Sequence, residues 1–144
     1  MKRLTAAVLC GFAMLALAPS GSAAIRITKI HYNSPGPENG SNSSLNGEWL
    51  TIKNTGSRGK QLKGWKVRDV GGNVFRFLSF KLPAGTTVKI HTGKGPDTFP
   101  HHLYWKLENY VWDNDQDKAT LKNAAGTVID TCSYNDASAA NKVC

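Results

Sequence analysis

An all-β antiparallel sandwich or barrel of about eight short strands is predicted by three observations. Between Ile25 and Tyr134, apolar and polar residues alternate with a period of two in run after run, as in EWLTIKN and TTVKIHTG. These runs are strand-sized, rich in aromatic and β-branched residues, and divided by Gly, Pro or Asn turns. No stretch carries the longer apolar period of an amphipathic helix, so an α/β arrangement is excluded.

The N-terminus sets the compartment. Lys2 and Arg3 precede an apolar run from Leu4 to Ala18 and small residues through Ala24, the pattern of a secretory signal peptide spanning residues 1–24. The run is shorter than the roughly 20 residues that span a bilayer. A secreted chain is expected, with residues 25–135 as one domain and 136–144 as a C-terminal tail. Processing removes Cys10 and leaves Cys132 and Cys144 as an even pair in an oxidising compartment. A disulfide between them is expected, tying down the tail; free thiols or an intermolecular bridge are the alternatives. Processing also strips Lys2 and Arg3 from 18 basic residues and none of 10 acidic ones, so the formal charge falls from +8 to +6. That balance favours polyanionic partners such as nucleic acid or an anionic cell-wall polymer, and it also serves solubility alone.

Along the chain, the apolar positions Ile25 and Ile27 give way to Ile30 and Tyr32, a slip near Lys29 that a β-bulge would absorb. Residues Asn33–Gly47, dense in Gly, Pro, Ser and Asn, read as a long mobile loop with no element of its own. EWLTIKN puts Leu50 and Ile52 on a core face, with Trp49, Thr51 and Lys53 opposite. TGSRGKQ reverses the chain, and Leu62, Gly64 and Trp65 form an L-x-G-W entry to the next strand, Trp65 serving as core anchor beside Val67. Lys66 and Arg68 alternate with them, and Val70 ends that strand before Gly71-Gly72-Asn73. VFRFLSFKL reads as one strand with Phe75 and Phe77 set against Arg76. After Pro83-Ala84-Gly85, TTVKIHTG buries Val88 and Ile90. HHLYWKL and NYVW follow a Gly/Pro loop, KATLKN turns Ala119 and Leu121 inward, and TVIDTCSYN forms the last strand.

Four pieces in order resemble the lamin tail domain family: EWLTIKNTG followed by LKGW, the Pro-Ala-Gly turn into TVKIHTG, WDNDQD before ATLKN, and GTVIDTCSY. The resemblance spans roughly Ile25 to Tyr134 and is that of a secreted, bacterial-type, single-domain member. It implies an immunoglobulin-like sandwich and a non-catalytic interaction module. Gln116 stands where family members often carry Gly, and Ala84 separates Pro83 from Gly85. Both departures concern turns.

Candidate chemistry is sparse. Asp113, Asp115 and Asp117 have the D-x-D-x-D spacing that opens a calcium loop, but Lys118 occupies the glycine position and Ala124 the position of the bidentate glutamate. A turn in which Asp and Asn bond nearby amides is the favoured reading. His31, His91, His101 and His102 match no zinc or hydrolase motif, and no cofactor is expected. The expected function is therefore a binding module for an anionic polymer or a protein partner. Its candidate contacts are Trp49, Lys53, Arg58, Lys60, Lys63, Trp105 and Lys106. The rival readings are a small metal-dependent hydrolase or nuclease accessory, built on the aspartates and histidines, and a purely structural extracellular protein.

Overall fold

The computed structural model describes residues 24–144, and residues 1–23 of the predicted signal peptide lie outside the described residues. β1 (Ile25–His31) and β2 (Trp49–Asn54) flank a short helix, α1 (Asn42–Gly47). Four short strands follow: β3 (Lys60–Gln61), β4 (Lys66–Arg68), β5 (Val74–Arg76) and β6 (Lys81–Leu82). β7 (Thr87–His91) and β8 (His102–Tyr104) come next, and β9 (Gln116–Lys122), β10 (Val128–Asn135) and β11 (Asn141–Val143) close the chain. They form a five-stranded sheet, β11-β1-β2-β7-β8, a four-stranded sheet, β10-β9-β4-β5, and a two-stranded β3-β6 pair. The fold is an immunoglobulin-like β-sandwich.

Alternation explains the core. Ile27, Ile30, Leu50, Ile52, Val88, Ile90 and Leu103 of the five-stranded sheet face Val67, Ala119, Leu121, Cys132 and Tyr134 of the four-stranded sheet, and all are buried. Each buried Leu, Ile or Val contributes about 1.5–3 kcal/mol relative to exposure. Leu62 and Trp65 close the same core. Gly64 between them has φ +80°, and a β-carbon there would come within 3.2 Å of the Ala124 side chain. The L-x-G-W spacing thus follows from a left-handed residue in close contact with the β9–β10 turn.

The bulge falls where the slip predicts it. The β1–β2 register shifts between Ile27 and Lys29. There the Ile27 amide donates instead to Asp130 Oδ2 of β10 at 2.9 Å, linking the two sheets. Cys132 and Cys144 form the expected disulfide, with Cα atoms 5.7 Å apart.

Several expectations are corrected. Among the described residues strands number eleven rather than about eight: the TGSRGKQ reversal contains β3, the tail contains β11, and VFRFLSFKL is broken, since β5 ends at Arg76, Phe77 turns into the core, Leu78 points out at 77% exposure, and β6 begins at Lys81. β4 stops at Arg68, since Asp69 is buried and accepts the amides of Gly72 and Asn73; Val70 lies beyond the strand and is exposed. The pairing is not wholly antiparallel, because the Gly93–Pro100 crossover brings β8 parallel to β7. Residues Asn33–Gly47 are not a loop without structure. Ser41 caps α1 through the Ser44 amide, Leu45 is buried, Ser34 Oγ donates to Ser44 O at 2.6 Å, and Asn42 and Asn46 both donate to Lys94 O at 2.9 Å. The polar residues that mark a loop by composition are spent on these bonds. The C-terminal tail is more than a tether: β11 pairs with β1 through Lys29–Val143, Ile30–Lys142 and His31–Asn141.

Candidate functional site

On the four-stranded sheet, the pattern Lys-Val-Arg in β4 and Val-Phe-Arg in β5 sends Val67 and Phe75 inward. Lys66, Arg68, Val74 and Arg76 are left on the outer face. Register then lines up Arg76, Lys66 and Lys122 across three strands, with Val74, Arg68 and Thr120 in the next row. The Asp69 amide bonds Asn73 O and the Phe77 amide bonds Trp65 O, so the bonded pairs step by two through Val67–Phe75. Lys66–Arg76 is therefore a non-bonded pair, whose Cα atoms approach to about 4.5 Å. Like charges directly opposite each other destabilise a sheet by roughly 0.2–1 kcal/mol. All four cations line one shallow cleft of about 370 Å³ that contains no carboxylate. Two ion pairs, Lys94–Glu108 and Lys106–Asp97, lie elsewhere.

The outer face of the five-stranded sheet is basic in a different way. Its rows are His31–Trp49–His91–Tyr104 and Lys29–Thr51–Lys89–His102. The Trp49 ring is met from β1 by the stacked His31 ring at 5.1 Å and from β7 by Lys89 Nζ, 4.1 Å from the ring centroid. His91 Nδ1 lies 3.2 Å from Asn46 O, a carbonyl that only accepts, so this nitrogen carries the proton. Its Nε2 then accepts from His102 Nδ1 at 3.0 Å. Burial holds His31 and His91 below the ordinary histidine range, reinforced by Lys29 beside His31 and by His102 and Lys89 beside His91.

Beneath this sheet lie buried polar anchors that strand alternation does not reveal. Glu48 is fully buried and accepts from Thr92 Oγ1 at 2.6 Å, the Val111 amide at 2.9 Å and the Trp112 amide at 2.8 Å. Burial raises its pKa to about 7 even though all three bonds pull it down. At the other end of β2, Asn54 donates to Arg58 O and Leu82 O and accepts the Gly56 amide. The Glu and Asn that bracket EWLTIKN are structural plugs, and their place at the two ends of one apolar run was the available signal.

The seven candidate contacts do not converge on one place. Trp49 and Lys53 share the outer face of β2. Arg58, Lys60 and Lys63 are exposed around β3, with Lys81 across the two-stranded pair. Trp105 is half-buried, edge-on to Phe75 at 5.7 Å and to Trp112 at 6.2 Å, and Lys106 pairs with Asp97 at 3.7 Å. Asp113 and Asp115 are exposed, while Asp117 is buried and spends its oxygens on the amides of Val70, Lys118 and Asp113. Among the described residues, no three His, Cys, Asp or Glu side chains are grouped to hold a metal ion.

No curated protein matches the chain by sequence. The Lamin Tail Domain family model matches residues 18–136. That span takes in all three sheets apart from β11, the buried Glu48 and Asn54 that bracket β2, and the L-x-G-W entry to the four-stranded sheet. Lamin tail domains are generally non-catalytic modules, and this chain belongs to the Lamin Tail Domain family.

Proposed function

We propose that the protein is a secreted, non-catalytic module that binds an anionic polymer, nucleic acid or a cell-wall polyphosphate, on the outer face of its four-stranded sheet. The observation that carries this reading is the Arg76–Lys66–Lys122 row, joined by Arg68 in one cleft without a carboxylate. Three cations in register repel one another, and a chain of phosphates laid along them would relieve that repulsion. Aromatic stacking contributes less, because a base reaching Trp49 would have to displace His31 or Lys89. Recognition is therefore of charge rather than base sequence.

Titration with a single-stranded oligonucleotide and with a glycerol-phosphate wall polymer, at several salt concentrations, tests this reading. Four phosphate contacts predict that log affinity falls with log salt at a slope of about −3 for the single strand. Affinity that is unchanged above roughly 0.5 M salt, where screening is already shorter than about 5 Å, would overturn it.

A further inference from the structure

β5 also offers a free strand edge. Because Phe75 makes the ladder bonds to Val67, the N–H and C=O groups of Val74 and Arg76 point away from β4. Among the described residues no backbone group receives them. The corresponding edge of β8 is covered: Thr98 and His102 exchange backbone bonds at 2.8 and 2.9 Å, and the Tyr104 amide donates to Asp97 Oδ1 at 3.0 Å.

Beside the β5 edge lies a cleft of about 290 Å³ lined by Phe75, Phe77, Leu103 and Trp105. Val74, Leu78 and Phe99 stand at its rim, exposed by 45, 77 and 63%. These are three of the six large apolar side chains exposed among the described residues, so the exposure is concentrated rather than scattered.

We propose that β5 receives an extended segment of a partner protein as an added strand, in which apolar and acidic side chains alternate. Main-chain bonds to Val74 and Arg76 hold the segment. The side chain opposite Phe75 points inward and enters the aromatic cleft. Its neighbours, opposite Val74 and Arg76, point outward onto the face that carries Arg68, Arg76 and Lys66, which selects acidic residues there. This inference goes beyond polymer binding and does not depend on it.

A blocked heptapeptide alternating aspartate and leucine is the probe, followed by tryptophan fluorescence and by the amide resonances of Val74 and Arg76. Val74→Pro removes an outward-pointing donor at the first residue of an edge strand, where proline is tolerated. We expect it to weaken peptide binding at least tenfold. N-methylation of alternate amides in the peptide should do the same with the unaltered protein, which keeps the test valid if the variant folds poorly. Absence of binding at millimolar peptide, or equal affinity for the methylated peptide, overturns the proposal. So does binding to phosphatidylglycerol vesicles that survives Val74→Pro but is lost in Leu78→Ser/Phe99→Ser, which would assign the cleft to an acyl surface.

Discussion

On the five-stranded sheet, Lys89 lies over Trp49, His31 stacks against the same ring, and a defined proton links His91 to His102. On the four-stranded sheet, Lys66 faces Arg76 on one side and Lys122 on the other, with nothing of opposite sign between them. Both faces are basic, so net charge alone does not distinguish them. The difference lies in what each charge touches. On the first, ammonium groups lie over the Trp49 ring, and the sheet rests on a buried carboxylate whose pKa burial raises to about 7. The second is left unsatisfied and rests on the apolar pair Val67 and Leu121. Acidity should therefore act on the first, and salt and polyanions on the second.

The largest expected effect concerns Glu48. Its folded pKa, raised to about 7 by burial, lies above the ordinary 4.5, so the folded chain holds a proton that the unfolded chain has released. The stabilisation from that proton is complete below pH 4.5 and is lost as pH rises through 7, a change on the order of 3 kcal/mol. His31 and His91 act in the opposite sense. Their lowered pKa values give stability that is present above 6.5 and lost as pH falls. Denaturant melts from pH 4 to 8 should show Glu48→Gln losing the decline between 4.5 and 7. An unchanged decline in that variant would place the titration elsewhere and break the contrast between the sheets.

Next in size is polyanion affinity. Reversing two members of the row, Lys66→Glu with Arg76→Glu, should reduce the salt slope by about 1.5 and lower oligonucleotide affinity on the order of 100-fold in low salt. The matched reversal of Lys29 and Lys89 should cost no more than about threefold, since those ammonium groups already sit over Trp49. Equal losses from the two pairs in a fluorescence titration would mean that only net charge matters.

The sequence carries half of this contrast. Alternation alone puts Lys66 and Arg68 opposite Val67, and Arg76 opposite Phe75, so the faces were legible. Register was not, because Lys66 meets Lys122 only through a pairing of strands 56 residues apart, and no local pattern encodes that choice. Three of the seven candidate contacts, Arg58, Lys60 and Lys63, are neighbours in sequence, and the structure leaves them around a two-stranded pair. The bulge near Lys29 was legible because a slip of one reverses every later side chain. α1 and β11 were hidden because their stability comes from distant partners, Lys94 O for Asn42 and Asn46, and β1 with the Cys132 bridge for the tail.

A smaller effect has an unusual sign. Lys66→Glu alone replaces two repulsive cross-strand pairs with two attractive ones, and should raise stability by about 1 kcal/mol while weakening polyanion binding. A gain in stability with a loss of binding separates a retained functional charge from a merely soluble surface. If chemical denaturation shows a loss instead, the row is not repulsive as built.

The smallest effect compares the two faces directly. Lys89→Met keeps most of the apolar stem but removes the ammonium 4.1 Å from the Trp49 centroid, which should cost about 0.5 kcal/mol, or about 2 °C in thermal midpoint. Lys122→Met keeps a similar stem and removes one partner from the repulsive row, which should leave stability unchanged or raise it by a similar amount. Both substitutions remove one positive charge from a strand on an outer face, so their effect on net charge is identical. Only the local environment differs, and opposite signs in parallel melts would follow from that environment. Equal destabilisation by the two would show that the lysine stems, and not their charges, stabilise both sheets.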